Sequence, residues 1–211
     1  MNNGFLLSFE GTDGVGKSTQ IRFLAEELTG KGYSVLVSRE PGGSAIGEAI
    51  RAILLDERNG AMSPVTELLL YEAARAQHME EVVLPALSEG KIVILDRFID
   101  STFAYQGFGR HLDLATLETL NRIAVLGRMP DLTILLALPP EKAFLRKGGR
   151  DGHDRMETEG DAFFARVREG YQEAAKRDPA RVRTVDVSGT KSETREIISR
   201  MVKEWLEKHH G

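Results

Sequence analysis

The sequence predicts an α/β fold, a doubly wound five-stranded parallel sheet flanked by helices, in a single domain spanning residues 1–211. Three observations carry that expectation. Five short runs are almost continuously apolar, longer stretches with helical periodicity lie between them, and a glycine-rich G-x-x-x-x-G-K-[ST] pattern joins the first run to the first helix. Strands covered by helices on both faces lose the apolar–polar alternation of a half-exposed sheet, so continuous runs favour a parallel arrangement.

Taken in order, the strands are Phe5 to Glu10, Tyr33 to Ser38, Lys91 to Asp96, Asp131 to Leu138 and Arg181 to Val187. Each is rich in Val, Ile, Leu or Phe and is bounded by turn residues or a motif. Between them, Ser18 to Thr29 spaces Ile21, Leu24, Ala25 and Leu28 along one helical face. Pro64 to Leu87 repeats the pattern with Leu68, Tyr71, Ala74, Arg75 and His78, and Leu114 to Leu126 forms another long helix. Ser192 to His209 carries Ile197, Ile198, Met201, Val202, Trp205 and Leu206 on one stripe. Right-handed crossovers between such strands give the doubly wound sheet.

Composition narrows the function. A chain of 211 residues buries a sizeable core without staples. It has no cysteine, which excludes a disulfide scaffold, thiolate metal sites and thiol catalysis. With 28 Lys and Arg against 32 Asp and Glu, the net charge of -4 gives no bulk reason to bind nucleic acid or an anionic membrane. No apolar run approaches the roughly 20 residues of a membrane span, and the N-terminal residues do not resemble a signal peptide, so a cytoplasmic protein is expected.

Gly11 to Ser18 reads GTDGVGKS, directly after the first strand and at the start of the first helix. Glycines let backbone amides curl around a phosphate, and the helix N-terminus adds partial positive charge there. This is a P-loop, and it makes the fold that of a P-loop NTPase. Gly11, Thr12, Asp13, Gly14, Val15, Gly16, Lys17, Ser18 and Thr19 are expected to bind a nucleoside triphosphate, which the resemblance given below implies is ATP. Lys17 would reach the β and γ phosphates, and Ser18 with Asp96, at the end of the third strand, would hold Mg²⁺. The next residue, Arg97, suggests a second anion in the same cleft. Arg39 sits at the tip of the second strand, and ligands of open α/β sheets bind outside such tips. A nucleoside monophosphate facing a triphosphate would need both cations.

Four segments carry a specific resemblance: FEGTDGVGKST (Phe9 to Thr19), SREPGG (Ser38 to Gly43), LLLYEAARAQH (Leu68 to His78) and DRFIDSTFAYQGFGR (Asp96 to Arg110). In this order, with an arginine-rich stretch at Arg146 to Arg155, they resemble the thymidylate kinase family. The resemblance implies transfer of the γ-phosphoryl group of Mg-ATP to dTMP, giving dTDP and ADP for dTTP synthesis, by a homodimer. It implies that Asp13 approaches the 3′-hydroxyl of dTMP, while Arg39, Arg97 and Arg51 hold its phosphate. Tyr71, where the family usually has Phe, would stack on thymine, Arg75 would donate to a base carbonyl, and Thr102 and Gln106 would read the remaining edge. Tyr105 would crowd the sugar's 2′ position. Gly14 stands where one form of the family has a P-loop arginine, so catalytic cations would come from a mobile lid at about 146–159. Arg150 and Arg155 are the expected catalytic arginines of that lid beside Lys17 and Arg97, with Lys147 near them and Arg146 against adenine. By composition alone the stretch reads as a solvated loop.

Beside a non-catalytic ATP-dependent binding module, two rivals stay open on the sequence. One is another small-molecule kinase, on which Tyr71 and Arg75 would have little influence. The other is a regulatory GTPase, faintly echoed by Thr190-Lys191-Ser192-Glu193, although Arg97 stands where such a protein would hold metal.

Overall fold

The computed structural model describes residues 4–138, 155–156 and 159–210. Five strands, β1 (Phe5–Glu10), β2 (Val35–Arg39), β3 (Ile92–Asp96), β4 (Leu132–Ala137) and β5 (Val182–Asp186), form one sheet in the order β2-β3-β1-β4-β5, every pair parallel. The most hydrophobic strands take the centre. β1 is buried along its whole length and β3 and β4 nearly so, whereas edge strand β5 buries only Val182 and Val185.

The helices are α1 (Lys17–Gly30), α2 (Ala45–Leu55), α3 (Pro64–His78), α4 (Leu84–Ser88), α5 (Ile99–Thr102), α6 (Leu114–Ala124), α7 (Asp161–Arg177) and α8 (Lys191–His210). One core lies where α1 and α8 cover β1 and β4, with Trp205 stacked on Phe5 at 4.0 Å. A second core, around Leu6, Val93, Leu95 and Phe98, fills the opposite face.

Two expected elements differ for local reasons. β2 starts at Val35 rather than Tyr33, because the Tyr33 amide closes the end of α1 on the Leu28 carbonyl. The stretch expected as one helix over Pro64 to Leu87 contains a π-helical turn at Met79–Val83, which ends two residues before Pro85, a residue with no N–H to continue a regular ladder. A second wide turn, Phe103–Gly109, extends α5. Thr190 and Glu193 form a reciprocal cap: Glu193 accepts from the Thr190 amide at 2.7 Å and hydroxyl at 2.9 Å, and the Glu193 amide donates back to Thr190 Oγ1 at 3.2 Å. The segment that echoed a guanine-reading motif is a helix start.

The parallel register brings Phe9, Asp96 and Ile134 level, so β1 and β3 end together, and Arg39 ends β2 opposite Asp96. Every strand-tip residue named from the sequence therefore faces one edge.

Candidate active site

Two cavities open at that edge. One, of about 340 Å³, is lined by Gly14, Gly16, Lys17, Ser18, Thr19, Arg39 and Asp96. The other, of about 280 Å³, lies deeper among Leu55, Tyr71, Arg75, Phe98, Ser101, Thr102, Tyr105, Gln106 and Met156. Asp13, Glu40, Arg51 and Arg97 line both and form the wall between them.

The first cavity is the P-loop. Gly16 caps α1 with φ +99°, a left-handed conformation that side chains rarely adopt. Lys17 folds back over the loop and donates to the carbonyls of Gly11 at 3.0 Å and Thr12 at 3.1 Å. Burial, together with the neighbouring Arg97 charge, lowers its pKa to about 8, against the pull of Asp13, Asp96 and Glu10. Ser18 Oγ donates to Asp96 Oδ2 at 3.2 Å, which places a hydroxyl and a carboxylate side by side at the loop's open face. Among the described residues no cluster of three or more His, Asp or Glu forms a protein-only metal cage. A hydroxyl, one carboxylate and room for phosphate oxygens is instead the donor set that Mg²⁺ accepts.

Arg97 is the pivot. It follows β3 in a left-handed conformation, φ +70°, which aims its side chain across the tip of β1. Nη1 donates to the Gly11 carbonyl at 3.2 Å, Ser101 Oγ at 3.2 Å and Tyr171 OH at 3.1 Å. Nη2 donates to Asp13 at 2.7 Å and Tyr105 OH at 3.3 Å. Burial opposes its charge, but the surrounding oxygens hold its pKa well above the ordinary value. Burial also pushes the Tyr105 phenol up to about 12, so that it stays a neutral hydroxyl.

The deeper cavity is walled by α2, α3 and the wide turn after α5. Tyr71 and Arg75 stand one helical turn apart on α3. Arg75 donates to Glu40 at 2.8 Å, Glu72 at 2.9 Å, Asn121 at 2.6 Å and Thr102 at 3.0 Å, leaving one Nη2 hydrogen for a ligand. Burial works against its charge, and Glu72 and Glu40 more than restore it. Gln106 donates to Glu67 at 2.9 Å, which uses one of the two hydrogens on its amide nitrogen. Arg51 donates to the Pro41 carbonyl at 2.8 Å, and half-exposed Arg39 is paired with Glu48 at 3.0 Å at the outer rim.

The expected residues Asp13, Arg51, Tyr71, Arg75, Arg97, Thr102, Tyr105 and Gln106 thus surround one cavity, while Arg39 faces the P-loop cavity. Arg155 lies elsewhere than expected of a free lid cation. It is buried, with Nη2 on Glu67 at 2.5 Å and Nε on the Leu54 carbonyl at 3.0 Å. Arg146, Lys147 and Arg150 lie outside the described residues. Composition and motifs gave no role to Glu10, Glu40, Glu67 or Tyr171. Glu10 and Glu40 stand inside the quoted motifs, and a carboxylate ending the apolar run FLLSFE is the one signal that pointed to the first. Glu10 is fully buried, and burial, with Asp100 nearby, raises its pKa to about 7.

Comparison with known proteins adds independent findings. The family profile described as thymidylate kinase matches residues 9–198. A thymidylate kinase of Thermoanaerobacter sp. (strain X514) is 48% identical over 203 residues, which cover 96% of this chain and 99% of the relative. One from Geotalea uraniireducens is 49% identical, covering 94% and 96%. The crystal structure of thymidylate kinase from Ehrlichia chaffeensis superposes with a TM-score of 0.77 at 32% identity, covering 95% of this chain and 99% of that one.

Proposed function

Since the chain belongs to the thymidylate kinase family, we propose a division of labour among its residues for phosphorylating dTMP with ATP. The protein is an ATP-dependent phosphotransferase, a dTMP kinase. ATP phosphates would occupy the P-loop cavity and dTMP the deeper one. The observation that carries the assignment is the shared wall. Arg97 is a cation that lines both cavities, and in this reading it would stand between the two phosphate groups.

The acceptor phosphate, with a second pKa near 6, is already mostly dianionic at neutral pH and needs no strong base to attack. The obstacle is repulsion between two anions, so positioning and charge screening carry the rate. Lys17 would lie along the donor phosphates and Arg97 along the acceptor phosphate, with Arg51 and Arg39 at the rim. Ser18 and Asp96 would hold Mg²⁺, which supplies charge neutralisation across the donor phosphates. Tyr71 would stack on the base, Arg75 with its remaining hydrogen and Thr102 and Gln106 would read the base edge, and Tyr105 and Asp13 would face the sugar.

Residues 146–159 would act as a lid that delivers Arg150 to the transferring group, with Arg146 beside adenine. Met156 supports this placement, because it lines the acceptor cavity. We give Arg155 a structural task instead, since its guanidinium is engaged by Glu67 and Leu54. A homodimer is supported by exposed apolar side chains on neighbouring helices: Ile46 and Ile53 on α2, Val65 and Leu69 on α3, and Ile123 on α6. Among the described residues no helix is long and apolar enough to cross a membrane, and we place the enzyme in the cytoplasm, with ATP.

The test is a panel of deoxynucleoside and ribonucleoside monophosphates with ATP in a coupled assay for ADP release. The expected result is dTMP as the best acceptor, with discrimination against its ribonucleotide weakened by Tyr105→Ala. Equal rates across bases would overturn the pocket assignment.

A further inference from the structure

Glu10 ends β1 beneath the shared wall, and nothing in the proposed chemistry uses it. Its Oε1 accepts from the Phe98 amide at 2.7 Å, and its Oε2 accepts from Ser101 Oγ at 2.5 Å and from Tyr171 OH at 3.2 Å. Those same hydroxyls accept from Arg97 Nη1, at 3.2 and 3.1 Å, and lie 2.9 Å from each other. The three donors come from three separate parts of the chain, the turn after β3, α5 and α7, so the contact is not a local accident of sequence.

The direction of each proton follows from chemistry. With its pKa at about 7, Glu10 is mainly ionised above that pH; an ionised carboxylate only accepts, and a guanidinium only donates. A hydroxyl placed between them must send its hydrogen toward the carboxylate and turn a lone pair to the guanidinium. Glu10 therefore orients the Ser101 and Tyr171 hydroxyls, and these in turn fix the Arg97 fork. We propose that Glu10 is a positioning residue for acceptor binding, acting on Arg97 through Ser101 and Tyr171. This rests on the reading that Arg97 holds the acceptor phosphate, and it adds a residue that does not itself touch substrate.

An amide in place of the carboxylate reverses the logic. The Nε2 of Glu10→Gln would donate to the hydroxyls and turn their hydrogens toward Arg97, while the Oε1 could still accept from Phe98. Two layers of measurement separate the claims. Arg97→Ala tests the reading beneath: it should weaken dTMP binding, measured by calorimetry without ATP, by at least about tenfold. If it does not, Arg97 does not hold the acceptor and both claims fall.

Given that loss, Glu10→Gln should raise the Kd and KM for dTMP severalfold to tenfold and leave the KM for ATP within about twofold. In the Arg97→Ala background it should add almost nothing, because its target is gone. The paired variant Ser101→Ala with Tyr171→Phe removes only the two intervening hydroxyls, and it should reproduce the dTMP defect even if Glu10→Gln fails to fold. Should the paired variant bind dTMP normally, or should its penalty add in full to that of Arg97→Ala, Glu10 is not acting through Arg97 and the proposal is wrong.

Discussion

Lys17 holds its charge against burial, with a consequence for nucleotide affinity. A lysine with pKa about 8 is increasingly neutral above that pH, while bound phosphate favours the protonated form. The affinity for ATP or ADP should therefore fall as pH rises from 7.5 to 9.5, approaching tenfold per pH unit at the upper end, and calorimetry across that range would show it. Arg97, Asp13, Asp96 and Glu10 all face Lys17, but Lys17→Arg should flatten the dependence because a guanidinium does not titrate there. The stability of the empty protein has the opposite sign. Between pH 8 and 10.5 the unfolded chain binds the extra proton, so unfolding free energy gains up to about 3 kcal/mol from this group as pH rises through that window.

At the same scale, Arg155, within the charged stretch, is tied to α2 and α3. Its removal leaves Glu67, which sits fully buried, with Arg110 at 3.0 Å and Gln106 at 2.9 Å. Arg155→Ala should cost about 2–3 kcal/mol in urea unfolding, below the usual penalty for orphaning a buried charge because two partners remain. A drop in kcat by orders of magnitude at unchanged stability would instead restore it to the catalytic set.

Among the elements, the loop after β2 depends on a close approach. A Cβ on Gly43 would come within 2.4 Å of His78 Nε2 and 2.7 Å of Ser38 Oγ, at φ +80°. His78 is fully buried, bonded to Ser38 at 2.8 Å and Glu40 at 3.2 Å, and Glu40 in turn holds Arg75. Gly43→Ala should lower stability by about 1–3 kcal/mol, seen as a lower urea midpoint, and weaken dTMP binding through that chain.

The same element shows what sequence could and could not reveal. The P-loop was legible because nearest neighbours in the chain make it: strand, glycines and helix start follow one another. Arg39 and Asp96 were legible because a parallel sheet lines up strand ends. The support beneath Arg97 was not, since Tyr171 meets Glu10 across 161 positions and α7 carries no motif that foretells it. The helix Ala45–Leu55 hid for another reason, its apolar residues being split between a buried face and exposed Ile46 and Ile53.

The whole molecule places all of its proposed chemistry on one edge and leaves apolar surface on its flank. Val65 is 55% exposed and Leu69 50% on α3, with Ile123 at 65% on α6. A lone soluble chain gains nothing from such a face, whereas a second copy would cover it. Sedimentation should show a dimer, and Val65→Asp with Leu69→Asp should shift it to monomer. A monomeric parent protein would remove the argument.

The stacking of Trp205 on Phe5 has a practical sequel. α8 runs back from the catalytic edge, so the beginning of β1 and the last turns of the final helix come together beneath the sheet, on the far side from both cavities. A reporter placed on the turns around Trp205 would stand clear of the mouth through which nucleotides enter.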